Sequence, residues 1–426
     1  ELTRAQRRVI NEVIEDMRRP QPMTRLLQGD VGSGKTVVAL AGLLLAVENG
    51  MQGAFMAPTE ILADQHLWTF RKFLANVPVR VELLTSGVPK ARRRRVLERA
   101  AAGEVDIVVG THALLEGEVR FKRLGLAVID EQHRFGVRQR TTLRQKGPAM
   151  DLLLMTATPI PRTLALALYG DLDVSTLDEM PPGRLPVSTE HVGEERALEV
   201  LRRECARGRQ AYVVYPIIEE SARLDLKAAV AEFGRLKDGA LGGLRVELVH
   251  GRMPGAKKVA AMEEYAAGRW DVLVATPVIE VGVDVPNATV MVVQNAERFG
   301  LASLHQLRGR IGRGVEPGHC FLVCEPKTDT AKRRIGVLCE TSDGFRIGEE
   351  DLKLRGPGEA LGTAQHGELG LEAADLARDS DLLAAAREDA DALLAADPDL
   401  AGAGLGPLRR RLVERYQAKW QSIDLA

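Results

Sequence analysis

Short runs of β-branched and aliphatic residues alternate with longer helical stretches along most of the chain. In the first half the runs at 24–28, 54–57, 106–110, 127–129 and 152–156 read as strands. In the second half the runs are 211–216, 246–249, 272–275, 290–294 and 320–323. Strands separated by helical connections predict parallel sheets with helices on both faces. Between the halves, Glu179–Pro186 (EMPPGRLP) holds three prolines and a glycine. Such a segment continues neither a helix nor a central strand, so it reads as a linker. From about Arg333 the strand signal stops. Gly/Pro punctuation (LRGPGEALG), an alanine-rich acidic stretch over 375–399 and a basic tail over 409–419 follow. The expected division is 1–180 and 187–332 as α/β domains of similar size, with 333–426 a helical element.

Composition narrows the classes. At 426 residues the chain is too long for one ordinary core. Apolar residues at 45% and charged residues at 27% exclude gross disorder. Lys plus Arg number 58 against 59 for Asp plus Glu, so any site for a polyanion must be a local stripe. Aromatics are 4%, which argues against base stacking as the main mode of recognition. The longest apolar run, Val37–Val47, is 11 residues, whereas a membrane span needs about 20. No secretory signal is visible. The four cysteines are too few for a disulfide framework; Cys320 and Cys324 sit in a strand-like run (HCFLVCE) and read as reduced core thiols rather than metal ligands. A cytoplasmic location is expected. The chain begins at Glu1, and the expectation is a piece of a longer protein.

Three groups of residues carry chemistry. Gly29, Asp30, Val31, Gly32, Ser33, Gly34, Lys35 and Thr36 fit G-x-x-x-x-G-K-[ST], after a strand and before a helix. Glycines let backbone N–H groups approach phosphates, and a helix N-terminus adds a favourable dipole. Lys35 is expected to reach the β- and γ-phosphates of ATP and Thr36 to ligate Mg²⁺. Asp130 and Glu131 follow the strand-like LAVID, where ligands of open α/β sheets bind. Asp130 would hold Mg²⁺ through water, and Glu131 would orient the attacking water. Far downstream lie Gln306, Arg308, Arg310 and Arg313. Arg310 and Arg313, three apart, would be neighbours on a helix; a solvated basic face is the alternative, above all for Arg308. Read as arginine fingers supplied by the second domain, they place ATP between the domains.

Taken together, these motifs resemble the superfamily 2 helicases, and within them the RecG-like branched-DNA motors. The likeness covers nearly the whole chain and implies tandem RecA-like P-loop domains followed by a helical hairpin and translocation element. By that resemblance Gln6 in LTRAQ reads adenine, and Asp284 in VGVDVP and Gln306 belong to the ATP site. APTE (57–60), TSG (85–87) and GTHAL (110–114) are similar to the family's strand-contacting loops, with Thr59, Thr111, His112 and Thr276 as phosphate contacts. His133, in DEQHRFGV, would link the ATP and DNA sites, and Thr156 and Thr158 in TATP would couple hydrolysis to movement. DLKLRGPGE (351–359) with GTAQ (362–365) resembles the translocation motif shared with the transcription-repair coupling factor, which makes Arg355 and Gln365 duplex-moving residues and 338–348 part of the hairpin. Pro277, Ala364 and His366 depart from the family pattern.

The same segments also have structural readings. Thr59, Thr111 and Thr276 could only cap helices; His133 could be a satisfied core histidine. Arg92–Arg95 reads first as a solvated helix face, with a duplex contact as the alternative, and Arg355–Gly358 reads by itself as a turn. The resemblance implies ATP and Mg²⁺, branched or duplex DNA as partner, single-strand binding protein as a further one, and no membrane. It implies a translocase that reverses stalled forks and migrates junctions in recombination and repair. A transcription-repair coupling translocase and an RNA helicase are the alternatives, with a non-motor P-loop switch further off. No stretch of short strands precedes Leu2, so the family's N-terminal wedge domain is expected to be missing, and poor handling of forked DNA by this chain alone is expected with it.

Overall fold

The structure is a computed structural model, and it describes residues 2–131, 146–147, 150–157, 172–181, 185–216, 222–276, 285–314, 316–362, 380–402 and 404–424. His133, Thr158, Asp284 and Gln365, with the departures at Pro277, Ala364 and His366, lie outside them. The first sheet has seven strands: β1 (Thr24–Gly29), β2 (Gln52–Met56), β3 (Val81–Leu84), β4 (Ile107–Gly110), β5 (Leu124–Ile129), β6 (Asp151–Thr156) and β7 (Asp173–Leu177). Its order is β3-β4-β2-β5-β6-β1-β7. The second has six: β8 (Val187–His191), β9 (Gln210–Val214), β10 (Val246–Val249), β11 (Val272–Ala275), β12 (Ala288–Gln294) and β13 (Gly318–Val323), in the order β10-β11-β9-β12-β13-β8. Every pairing is parallel.

Each of the ten expected strands is present. The three not anticipated, β3, β7 and β8, are edge strands. Their faces are partly wet, so their sequences (VELL, DVSTL, VSTEH) mix polar and apolar positions. Central strands of a parallel sheet are covered on both faces and read as continuous apolar runs; β2, β5 and β12 are buried at every position.

Helices cover the sheets. Those of the first domain are α1 (Arg4–Met17), α2 (Lys35–Glu48), α3 (Glu60–Phe73) and α4 (Lys90–Ala102). Those of the second are α5 (Glu194–Ala206), α6 (Ala222–Asp238), α7 (Gly255–Ala266) and α8 (Leu301–Arg308). Thr3 and Gln6 cap α1 reciprocally, Thr3 Oγ1 accepting from the Gln6 N–H and Gln6 Oε1 from the Thr3 N–H. The helix lays Ala5, Val9 and Val13 onto the core that α2 and α3 share with the sheet.

The C-terminal part is helical: α9 (Asp329–Glu340), α10 (Gly344–Gly362), α11 (Ser380–Ala396) and α12 (Gly406–Asp424). The expected hairpin segment, 338–348, spans the α9–α10 connection. One expectation changes. Arg355–Gly358 is not a turn; α10 runs through it to Gly362. Pro357 costs the helix one internal bond, while Ile347, buried, and Leu354, partly buried, pack on the core of the second domain in the preceding turns.

A shared clamp begins both sheets. Arg80 donates its backbone N–H and its guanidinium to Asp106, 26 residues on, and Arg245 does the same to Asp271 at the same separation. At the first residue of each inner strand a buried glutamine ties helix end to loop: Gln52 Nε2 donates to Ala100 O and Val105 O, Gln210 Nε2 to Tyr265 O and Trp270 O.

Candidate nucleotide and strand-contacting site

The C-terminal ends of β2, β5, β6 and β1 are neighbours in the first sheet and lead into APTE, Asp130–Glu131, the TATP segment and the P-loop, while TSG and GTHAL follow β3 and β4. After β1 the chain turns through Gly32 and Gly34, both at positive φ, into α2. Gly34 is required twice. Its φ of +88° suits glycine, and a Cβ there would meet Gln6 Nε2 at 2.2 Å. Gln6 donates from Nε2 to Ser33 O at 2.9 Å, so α1 braces the loop. Lys35 is buried and donates to Gly29 O at 2.7 Å and Asp30 O at 2.9 Å. Burial lowers its affinity for a proton, and the charges of Glu131, Asp130 and Asp30 oppose that fall. Ser33 is fully buried and its hydroxyl has no partner among the described residues. Thr36 lies partly exposed at the first turn of α2.

Asp130 follows β5, its N–H donating to Met56 O at 2.8 Å. Its Oδ1 accepts from the Glu131 N–H at 3.1 Å, and its Oδ2 lies 2.9 Å from His66 Nε2. Burial pushes the Asp130 carboxyl up, but the His66 bond and the charges of His66 and Lys35 outweigh it and hold the group low. Glu131 is driven the other way, first by burial and then by the charge of Asp130, against Lys35, Arg310 and a bond from the Ala157 N–H. Its backbone sits at φ +54°, a conformation uncommon outside glycine. Two adjacent carboxyls pushed apart in this way are a recurring mark of a working site.

The second domain reaches this cluster. Gly309 packs on the P-loop, since a Cβ there would meet Val31 Cβ at 2.7 Å. His305 Nε2 lies 2.6 Å from Asp30 Oδ1. Arg308 donates to His305 Nδ1 at 2.9 Å, which leaves the imidazole hydrogen on Nε2, facing the carboxylate. Arg313 Nε donates to Gly309 O at 2.9 Å, and the Arg313 charge is felt by Lys35 as that of Arg310 is by Glu131. Gln306 is buried in α8. Two expectations are corrected. Helix α8 ends at Arg308 and Gly312 turns at φ +66°, so Arg310 and Arg313 are not on a helix. Arg308 is not solvated. It is buried and donates to the carbonyls of Leu338, Thr341 and Ser342 at the α9–α10 connection. A cavity of about 410 Å³ lies beside this junction, among its lining Asp30, Val31, Glu179, Met180, His305 and Arg308.

The strand-end threonines differ among themselves. Thr59 caps α3, its Oγ1 accepting from the Leu62 N–H at 3.4 Å. Thr111 and Thr276 are buried at the ends of β4 and β11, and neither hydroxyl has a partner among the described residues. Glu60 accepts from the Gly87 N–H at 2.8 Å, and the Ala57 N–H donates to Gly110 O at 2.8 Å, so three strand-end loops are joined. His112 is exposed in a short 3-10 turn, and Thr156 is buried at the end of β6 beside Gln28. Arg355 lies within α10.

The arginines of α4 are mostly engaged: Arg93 with Glu116 and Glu118, Arg92 and Arg99 with Glu82, Arg94 with Glu98. All four cysteines are free thiols, and no cluster fit for a metal occurs among the described residues. No helix among them is long and apolar enough to cross a membrane. Sequence reasoning missed His66 and His305. Both lie on helices facing strand ends, and the signal for His66 was a histidine inside the apolar stripe Leu62, Ala63, Leu67, Phe70.

Comparison with known proteins follows the same segments. A DEAD/DEAH box helicase profile matches residues 3–167, and a helicase conserved C-terminal domain profile matches 195–315. The profile for domain 3, C-terminal, of the ATP-dependent DNA helicase RecG matches 341–424. The ATP-dependent DNA helicase RecG of Synechocystis sp. is 50% identical over 419 residues, 98% of this chain and 50% of that protein. Over nearly its whole length the chain is similar to RecG helicases. The RecG of Bacillus subtilis is 50% identical over 399 residues, 93% of this chain and 58% of that protein. The chain thus spans about half the length of the RecG proteins it matches. A structure of RecG bound to a three-way DNA junction superposes with a TM-score of 0.75 at 48% identity, covering 90% of this chain and 50% of that one. The yeast Dbp5 complex with RNA, at 16% identity and TM-score 0.59, shares the fold alone.

Proposed function

We propose that this chain is the ATP-hydrolysing motor of a translocase that acts on duplex arms of branched DNA, reversing stalled forks and migrating junctions. The observation that carries the reading is the two-domain cluster: Gly309 of the second domain packs on Val31 of the P-loop and His305 Nε2 lies 2.6 Å from Asp30 Oδ1, in the segment that carries Arg310 and Arg313. A P-loop switch has no use for such a cluster. Its RecG-type C-terminal match favours branch remodelling over transcription-repair coupling.

In this reading residues 1–180 bind ATP, 187–332 supply the arginines and 333–426 convert closure into movement. Gly29–Thr36 cradle the phosphates, Gln6 reads the base, and Asp284 and Gln306 complete the pocket. Lys35 leaves its carbonyl partners for the phosphates. A carboxylate at Asp130 and a hydroxyl at Thr36 are hard oxygen donors, the set that Mg²⁺ takes. When bound, Mg²⁺ would neutralise phosphate charge. Glu131, held with a raised proton affinity, accepts the proton of the attacking water. Arg310 and Arg313 stabilise the charge of the transferred group.

Thr59, Thr111, His112 and Thr276 hold backbone phosphates. The unpartnered hydroxyls of Thr111 and Thr276 support this, since buried hydroxyls ordinarily find partners. Thr156, Thr158 and His133 couple the two sites, and Arg355 and Gln365 move the duplex. Contacts of that kind are sequence-independent, as a motor needs.

The test is ATP turnover with linear duplex, single strands, RNA and a three-way junction at several salt concentrations. Stimulation by duplex and junction DNA, abolished in Lys35→Ala, is expected. Stimulation by RNA alone, or none by any nucleic acid, would refute the reading.

A further inference from the structure

His66 has no role in the site as described so far, yet it touches the central carboxylate. It stands on the buried face of α3, two turns after the Thr59 cap. Its ring packs against Phe55 of β2, with centroids 4.4 Å apart, and more loosely against Phe70 at 6.2 Å. The side chain is 11% exposed and that of Asp130 is 13% exposed, with 2.9 Å between Nε2 and Oδ2. An ionised carboxylate only accepts, so Nε2 carries the hydrogen.

This arrangement does more than satisfy a core histidine, for which a main-chain carbonyl would serve. Asp130 receives one donor on each oxygen: His66 on Oδ2 and the Glu131 N–H on Oδ1. Two donors on two oxygens fix the plane of the carboxylate while leaving each oxygen a further lone pair. The second donor belongs to a residue at φ +54°, so the backbone itself is bent to deliver it. Ligands of a metal are oriented by partners of this kind.

The helix that carries His66 is also the helix that Thr59 starts. Phe55 and Met56 of β2 pair with Val128 and Ile129 of β5, so the two strands end level, with Asp130 one residue past its strand and Thr59 three past the other. From Thr59 to His66 the link is one rigid element about 10 Å long.

We propose that His66 is a positioning residue, which sets the Asp130 carboxylate for the metal–nucleotide and ties that setting through α3 to the strand-contacting loop at Thr59. The inference rests on the reading of Asp130 as the metal-holding acid. Engagement of a phosphate at the head of α3 would shift the helix, and the shift would be felt at Asp130 through the Nε2–Oδ2 bond.

The experiment uses His66→Ala and His66→Gln, the latter able to donate from its amide, with Lys35→Ala as control. A fluorescent ADP analogue is titrated in EDTA and across a Mg²⁺ series, and ATP turnover is measured with and without duplex DNA. For His66→Ala the expected result is unchanged binding in EDTA, a Mg²⁺ half-saturation raised by about 10- to 100-fold, and a reduced ratio of DNA-stimulated to basal turnover. His66→Gln should recover much of both. An unchanged Mg²⁺ half-saturation and DNA ratio in His66→Ala would overturn the proposal. So would equal losses in both variants together with loss of binding in EDTA, the pattern of a residue that only fills the core. If Lys35→Ala keeps normal turnover, the site reading itself fails, and that result is separable from either outcome at His66.

Discussion

The two sheet domains are one scaffold used twice, and they differ where chemistry needs them to. Both carry the Arg–Asp clamp 26 residues apart and the buried glutamine at the start of the inner strand. Aligned by those residues, Met56 matches Val214, and their partners Ile129 and Val293 match in turn. The next two residues are then Asp130–Glu131 in the first domain and Gln294–Asn295 in the second. The backbone device is the same, Glu131 at φ +54° and Asn295 at φ +50°. The charge is not. In the proposed reading carboxylates stand where a metal and a water are handled, and uncharged amides, Gln294 opposite Asp130 and Asn295 opposite Glu131, stand where they are not. Thr111 and Thr276 also correspond, at the ends of β4 and β11, and both keep an unpartnered hydroxyl. In the proposed reading, grip on a phosphate backbone is common to the domains, while hydrolysis belongs to the first and is completed by the arginines of the second.

That contrast can be broken in several ways. Glu131→Gln replaces the acid by an uncharged amide of the same shape, as the second domain is uncharged at this position, and turnover should fall about 10²- to 10⁴-fold. Nucleotide binding should persist, as a fluorescent ADP titration would show. Retained turnover would mean that the carboxylate is not the base. A smaller and symmetrical effect is expected from Thr111→Val and Thr276→Val. Each should weaken duplex binding by a few-fold, about 1 kcal/mol, without changing the salt slope, because no charge is lost. A loss confined to one of the two would break the correspondence between the domains.

The smallest effects concern the clamps. Asp106 is pushed up by burial, but its bonds from Arg80 outweigh that, and Asp271 is held low chiefly by its bond from Arg245. A depressed carboxyl contributes stability above its unfolded value, near pH 4, and loses it as pH falls through the folded value. Thermal melting should therefore drop below about pH 4. Asp106→Asn and Asp271→Asn should each flatten that dependence and lower Tm at neutral pH by about 2–4 °C. A large drop for one and none for the other would mean that the clamps are not equivalent.

How much of this was legible in the sequence follows from how local each feature is. Gly29–Thr36 is recognisable because a phosphate loop is contiguous, and Asp130–Glu131 because it follows an apolar strand. The continuous apolar runs of β2, β5 and β12 announce buried strands. The edge strands β3, β7 and β8 do not, since one wet face breaks the run. Arg308 looked like surface because its carbonyl partners, Leu338, Thr341 and Ser342, lie some 30 residues on, and burial of a charge depends on such partners. Arg310 and Arg313 were read as helical from their spacing alone. The helix ends at Arg308 and the chain turns again at Gly312, breaks that spacing alone does not reveal. His66 and His305 act across 64 and 275 residues, and no spacing rule reaches that far.

The central claim is that hydrolysis needs both domains. Arg313→Ala tests it most directly, as the rate of ATP turnover on saturating duplex DNA beside the affinity for an ADP analogue. The account expects turnover to fall by about 10³-fold or more with affinity changed only a few-fold. Turnover equal to that of the unaltered chain would contradict it.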